Sequence, residues 1–375
     1  MQKPSKLFDA LRSEGISFFT GVPDSLLKYF CAYITDNTSE GNNVITANEG
    51  NAIALAAGRY IGSGQPAAVY MQNSGIGNAV NPLLSLADRE VYSVPMMLII
   101  GWRGEPGMHD EPQHVKQGRT MLGLLDVMGI PYTIIDAETV GLAMVVNKAA
   151  TKMRELSAPV ALVIRKGTFE PYRLSKDAGS GGQLSREAAI KSIAAGLNEN
   201  EVIVSTTGMA SRELYEFRQS TGNNGSRDFL TVGSMGHTSS IAMGVAMAQT
   251  GKKVVCIDGD GSALMHMGAL GIVGNSGLKN LLHIVLNNGA HDSVGGQPTV
   301  GQRVDFVRIA SACGYVCADC VHTTGEVETA MKKLVADPGP GFLEIRVKKG
   351  ARPDIGRPKD SPVNNKKKLM DELGI

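Results

Sequence analysis

Tryptophan occurs once in 375 residues, and aromatic residues of all kinds make up only 5%. With 45 glycines beside them, this scarcity points away from an all-β sandwich and toward many tight turns and close backbone approaches. Net charge is nearly absent too, since 37 Lys and Arg stand against 36 Asp and Glu, a balance of +1. No global field would draw the chain to nucleic acid or to an anionic membrane. No run approaches the ~20 apolar residues that a bilayer span requires. Met1 to Gly21 shows no basic segment followed by an apolar run and a small-residue cleavage site. The expectations are no nucleic-acid partner, no membrane and a cytoplasmic location. Five cysteines, Cys31, Cys256, Cys313, Cys317 and Cys320, lie in apolar or mixed segments, unlike a secreted disulfide framework. The last three lack the second pair that a zinc or iron–sulfur site would want.

What the chain does have is a rhythm of short apolar runs separated by helix-length segments. Ala67 to Met71, Met96 to Ile100, Tyr132 to Ile135 and Val160 to Ile164 supply the first half, and Val202 to Ser205, Val254 to Ile257, Leu282 to Leu286 and Phe342 to Val347 the second. Continuous Val/Ile/Leu strands of this kind belong to parallel sheets covered on both faces, so the fold class is α/β, doubly wound. Between Phe169 and Arg186 the chain carries Pro171, a Gly179 to Gly182 run and no periodicity, which reads as a linker. The expected division is a domain at 1–170, a linker at 171–184 and a domain at 185–375, whose first helix is capped by Ser185. The halves resemble one another. Ile53-Ala-Leu-Ala-Ala-Gly58, a strand and Gln72-Asn73-Ser74-Gly75 parallel Ile241-Ala-Met-Gly-Val-Ala246, a strand and Gly259-Asp260-Gly261. One fold used twice is the expectation.

In the second half, Gly259-Asp260-Gly261-Ser262 ends one strand and Asn287-Asn288-Gly289 ends the next. Glycines there would permit tight turning and close approach to phosphate, and oxygen donors on Asp260 and Asn288 suit a hard cation such as Mg²⁺. As residue types alone, both are also ordinary turn formers. In the first half, Glu49 stands in Ala47-Asn48-Glu49-Gly50-Asn51 at the start of the small-residue helix, where an acid is favourable in any case. Phe19-Thr20-Gly21-Val22-Pro23-Asp24 follows the first helix, and Asp24 there could relay protons or be an ordinary turn aspartate. Arg103 and Lys116 flank Asp110-Glu111-Pro112-Gln113-His114 beyond a strand end, and could meet an anionic head group. His114 and His291 are acid–base candidates because an imidazole ordinarily titrates near neutral pH, with structural roles equally open.

The Gly-Asp-Gly to Asn-Asn arrangement resembles the diphosphate-binding motif of the thiamine diphosphate enzymes. The resemblance implies two similar domains of the thiamine diphosphate-binding fold, one for the pyrimidine side and one for the diphosphate. It makes Asp260, Asn288 and the Ala290 carbonyl the Mg²⁺ ligands, and sets Gly259, Gly261 and Ser262 near the phosphates. Gly233, Ser234 and Met235 would lie under the cofactor, with Met235 between its rings. Glu49 becomes the proton-relay glutamate of the aminopyrimidine, Asn73 a member of the pyrimidine-side loop, and Asp24 an acidic group brought to the substrate. The cofactor would sit between different copies of the chain, so a homo-oligomer, at least a dimer, is implied.

With Gly21-Val-Pro-Asp-Ser-Leu-Leu27, Trp102-Arg-Gly-Glu-Pro-Gly107, Asp110-Glu-Pro-Gln-His114, His291-Asp-Ser-Val-Gly-Gly-Gln-Pro298 and Arg352-Pro-Asp-Ile-Gly-Arg-Pro358, the chain is similar to the phosphonopyruvate decarboxylases of this family. The sulfopyruvate decarboxylases share much of the pattern, and are similar as two chains that each supply one half. The fused arrangement therefore favours 3-phosphonopyruvate as the anionic 2-oxo acid, decarboxylated to phosphonoacetaldehyde in phosphonate biosynthesis. A thiamine-dependent oxidoreductase would want an electron acceptor, and the sequence shows neither a four-cysteine motif nor a dinucleotide fingerprint. A non-enzymatic sensor of the cofactor or of phosphate would have no use for Glu49.

Overall fold

The computed structural model describes every residue except 40, 176–181 and 199. It divides into two compact units, Met1–Asp177 with Val294–Gln297, and Ala178–Ser293 with Pro298–Ile375. Of the expected linker, 171–175 carries no helix or strand, and the glycine run from 179 to 181 lies outside the described residues.

The first unit holds a six-stranded parallel sheet in the order Asn43–Ile45, Phe18–Gly21, Ala67–Gln72, Met96–Gly101, Val160–Ile164, Tyr132–Ile135. In the second unit the order is Asp228–Leu230, Val202–Ser205, Val254–Gly259, Leu281–Asn287, Gly341–Arg346, Cys317–Val321. Numbered within each unit, both read 2-1-3-4-6-5. The duplication expected from the helix–strand–glycine pattern is thus a property of the topology. All the pairings are parallel, and each sheet is buried on both faces by its own pair of apolar clusters. Strands such as Met96–Gly101 are fully buried as a consequence, which is why they read as unbroken apolar runs rather than as alternation.

Four strands are shorter or more polar than the apolar runs suggest. Phe18–Gly21, Asn43–Ile45, Asp228–Leu230 and Cys317–Val321 have three to five residues each, and all but the first lie at sheet edges. Edge strands can be short and mixed because half of their backbone groups need no strand partner. At the Asp228–Leu230 edge a side chain takes that place. Asn365, on the Pro362–Glu372 helix, accepts from the Leu230 N–H at 3.0 Å and donates to the Asp228 carbonyl at 2.8 Å.

The small-residue helices follow the second strand of each unit. Glu49–Ser63 is capped by Asn48, whose side chain accepts from the Asn51 N–H, and ends at Gly64 in the left-handed region. Its buried stripe is Ala52, Ile53, Ala56 and Ala57, and that of Thr238–Ala248 includes Ala242 and Ala246. Short side chains let both helices lie close to their sheets. The helix Arg186–Ala195 is capped by Ser185, which accepts from the Ala188 N–H. No helix among the described residues is long and apolar enough to cross a membrane.

Candidate active site

Parallel strands put their carboxyl ends on one edge of the sheet, and the loops there carry the polar residues of each unit. In the first unit Glu49 opens its helix with only 5% of its surface exposed. Its Oε2 accepts from the Asn78 amide at 2.8 Å, and a Cβ placed on Gly75 would run into Oε1. Gly75 therefore leaves the room that the carboxyl occupies. Burial pushes the Glu49 carboxyl above the usual carboxylate range, against the Asn78 hydrogen bond that lowers it.

Asp24 is wholly buried. Oδ2 accepts from the Leu26 and Leu27 N–H groups at 2.9 and 3.3 Å, and Oδ1 from the Gln72 amide at 2.7 Å. Burial raises its pKa too, but its bonds are spent on shaping the 22–27 loop. Ser74 donates to Gln72 Oε1 at 2.7 Å, and Asn73 donates to the Arg103 carbonyl at 2.8 Å while accepting from the Arg103 N–H at 3.1 Å. The exits of the first, third and fourth strands are thus stitched together.

Arg103 is not an open anion receptor. Its Nε and Nη2 form a fork on the two Asp110 oxygens, and Nη1 donates to Ser25 Oγ at 2.6 Å. The pair is mostly buried, and Asp110 is held below the usual range despite that burial by Arg103 and the Gly104 N–H. Spacing showed the two residues seven apart but not that they close on each other. Lys116 is exposed on the Pro112–Val127 helix and stands apart from this fork. His114, on the first turn of that helix, is buried, and its Nδ1 has no partner. Desolvation, with help from Arg103, pushes it down to about 4, so at neutral pH it is a neutral imidazole with no stored proton to give.

In the second unit the strands Val254–Gly259 and Leu281–Asn287 pair, so the exits that carry Asp260 and Asn288 are neighbours. The Thr299 hydroxyl donates to Asp260 Oδ2, and the backbone of Asn288 and Gly261 lies near enough to lower the Asp260 pKa. Asp260 is almost fully buried, and burial pushes its pKa up to about 6. No cationic side chain is among the groups that shift it. A buried carboxylate with no ion-pair partner among the described residues, and an asparagine oxygen on the neighbouring strand exit, are a donor set suited to a divalent hard cation.

The two asparagines differ. Asn287 spends its whole side chain internally: Nδ2 donates to the Gly301 carbonyl and Glu344, and Oδ1 accepts from the Gly289 N–H and Gln302. Asn288 donates Nδ2 to Asp292 at 2.7 Å and accepts at Oδ1 from the Ala290 N–H at 3.0 Å. Its oxygen keeps a lone pair.

The glycines of Gly259-Asp260-Gly261 do not make a left-handed turn. Gly259 closes its strand with φ −111° and ψ 157°, and nothing lies within 4 Å of where its Cβ would be. Gly259 leaves open room and Gly261 permits a close approach of side chains; neither serves for turning. Left-handed backbone occurs instead in the Gly233–Gly236 loop, at Gly233, Ser234 and Gly236 with φ of 73°, 45° and 88°. Ser262 joins the two loops, accepting from the Gly236 N–H at 3.0 Å and from Thr206 at 3.3 Å. Met235 and His291 both border Gly261, where an added Cβ would meet their side chains. Desolvation draws His291 down to about 4. Sequence reasoning missed Thr299, Gly301 and Gln302, which wrap the Asp260–Asn287 corner, and the buried Arg186–Glu213–Asp292 network behind Asn288. No local pattern marks either set.

Residues 4–124 match the thiamine pyrophosphate enzyme N-terminal TPP binding domain, and residues 206–345 the thiamine pyrophosphate enzyme C-terminal TPP binding domain. A phosphonopyruvate decarboxylase of Streptomyces viridochromogenes is 35% identical over 371 residues, 95% of this chain and 91% of that protein. The chain belongs to the phosphonopyruvate decarboxylase family of thiamine pyrophosphate enzymes. A second phosphonopyruvate decarboxylase, of Streptomyces hygroscopicus, is 34% identical, covering 96% of this chain and 92% of its own. A sulfopyruvate decarboxylase of Methanosarcina acetivorans is 29% identical over 92% of this chain and 91% of its own. That last relative corrects one inference from sequence. A single chain of this length also serves a sulfopyruvate decarboxylase, so fusion of the halves does not discriminate between the two substrates.

Proposed function

We propose that this enzyme decarboxylates 3-phosphonopyruvate to phosphonoacetaldehyde and CO₂, with thiamine diphosphate held through Mg²⁺, as a step of phosphonate biosynthesis. The observation that carries the reading is the similarity to phosphonopyruvate decarboxylases along nearly the whole chain, at 35% and 34% identity. The donor set at Asp260 and Asn288 fits the cation, with the Ala290 carbonyl as the third ligand. The open room above Gly259 fits a phosphate, with Gly261 and Ser262 beside it. Gly233, Ser234 and Met235 would hold the cofactor from the 233–236 loop, and Asn73 would belong to the first unit's share of its binding residues.

Thiamine diphosphate supplies, when bound, a carbon nucleophile and a sink for the electron pair that the departing carboxylate leaves behind. Glu49 handles the proton. Burial raises its pKa and excludes water, so a hydrogen bond made by the carboxyl is effective there. Asn78 fixes one oxygen, and the other faces the space that Gly75 leaves.

Lys116 offers an exposed charge to the anionic head group. Arg103 contributes through the N–H groups that Asp110 and Ser25 leave free. His114 and His291, neutral at pH 7, contribute hydrogen bonds rather than stored protons. Asp24 shapes the substrate loop and is the remaining acid near it. The working form is a cytoplasmic homo-oligomer, at least a dimer.

The test is direct turnover. With thiamine diphosphate and Mg²⁺, phosphonopyruvate should yield CO₂ and phosphonoacetaldehyde at a kcat/KM well above those for sulfopyruvate and pyruvate. A higher kcat/KM for sulfopyruvate would move the assignment to the activity named for the Methanosarcina relative.

A further inference from the structure

Asp292 is a junction within the second unit. Its Oδ2 accepts from the Asn288 amide at 2.7 Å, from Arg186 Nη1 at 3.0 Å and from the Gly350 N–H at 2.9 Å. Arg186 is in turn gripped by Glu213 through Nε and Nη2 at 2.8 and 3.1 Å, and both side chains are nearly fully buried. Three stretches more than 50 residues apart, at 186, 292 and 350, therefore converge on one carboxylate oxygen.

The chemistry of that oxygen decides what Asn288 presents. An asparagine side chain can turn over, exchanging its oxygen and nitrogen with little change of shape. Only the oxygen can ligate a hard cation; the NH₂ group has no lone pair to give and would repel it. A carboxylate accepts and never donates, so the end of Asn288 turned to Asp292 is the nitrogen, and Oδ1 is left on the other side. Asn287, one residue earlier, needs no such device because four partners fill its side chain.

We propose that Asp292 is a positioning residue that sets the orientation of the Asn288 amide, and that Arg186, braced by Glu213, holds Asp292 in place to do so. The proposal rests on the reading of Asn288 as a Mg²⁺ ligand. It makes the cation site depend on the first helix of its own unit, about a hundred residues upstream in sequence.

The experiment is Mg²⁺ titration of thiamine diphosphate binding to the full-length apoenzyme, followed by calorimetry. Asp292→Ala should raise the Mg²⁺ concentration for half-saturation by about 10–100-fold, the usual cost of losing a group that orients a ligand. In an Asn288→Asp background both outer atoms are oxygens and no orientation remains to be set. There Asp292→Ala should change the Mg²⁺ requirement by less than about threefold, a coupling that only a double-mutant cycle reveals. If the alanine variant does not fold, Asp292→Ser carries the same comparison. Equal losses in the two backgrounds would mean that Asp292 merely holds the loop, and would overturn this proposal alone. An Asn288→Ala variant with the wild-type Mg²⁺ requirement would overturn the ligand assignment and this proposal with it.

Discussion

The exits of the third strands, Gln72-Asn73-Ser74-Gly75 in the first unit and Gly259-Asp260-Gly261 in the second, occupy the same place in sheets of the same strand order. Each leads straight into helix, yet the two do opposite things with a buried carboxylate. In the first unit the acid comes from elsewhere, Glu49 on the neighbouring helix, and the exit supplies the gap at Gly75 and, a turn later, the Asn78 amide. The second unit carries the acid on the exit itself, as Asp260, which accepts from the Thr299 hydroxyl. Both carboxyls are raised by burial. In the proposed function one passes a proton and the other meets a metal ion. On that reading the same topology yields a proton site or a cation site according to where one carboxylate is attached.

That contrast can be broken most severely at Asp260. Asp260→Ala should raise the Kd for thiamine diphosphate in the presence of Mg²⁺ by at least about a hundredfold, measured by equilibrium dialysis, since a ligand should matter at least as much as the groups behind it. Glu49→Gln should do the reverse, lowering kcat by about 10²–10⁴-fold, the range of a lost acid–base group, while the cofactor binds as before. If the two variants exchanged these phenotypes, the division of labour between the units would be wrong.

A smaller and sharper comparison uses the glycines. In Gly75→Ala the new methyl collides with Glu49, whose neighbours hold it, so a destabilisation of about 1–3 kcal/mol and a fall in kcat are expected. In Gly261→Ala the nearest atoms, at 3.0 Å and beyond, belong to the His291 and Met235 side chains, which can yield. Thermal melts should show the smaller loss there, and equal losses would remove the claim that Gly75 is reserved for Glu49.

Much of this was legible in the sequence. The buried strands announced themselves as apolar runs because parallel sheets hide both faces, and Ser185 was readable as a cap because capping is a local event. Asp260 and Asn288 could be singled out because each stands where an apolar strand run ends, in a Gly-Asp-Gly to Asn-Asn arrangement that resembles a known diphosphate-binding motif. What escaped is what depends on pairs far apart. Nothing in the sequence marks that Asp110 closes on Arg103, or that Glu213 and Asp292 surround Arg186. Arg103 was legible only in part for the same reason: its charge is visible in the sequence and its partner is not.

The Asn365 side chain at the Asp228–Leu230 edge has a consequence beyond its two hydrogen bonds. An open strand border is a template on which another chain can add itself, the first step toward ordered aggregates. By answering one donor and one acceptor of that border, a single amide closes the template without a seventh strand. The C-terminal helix that carries it acts as a guard on colloidal behaviour, so truncation before Pro362 would expose the border and show itself as particle growth in light scattering before any loss of chemistry.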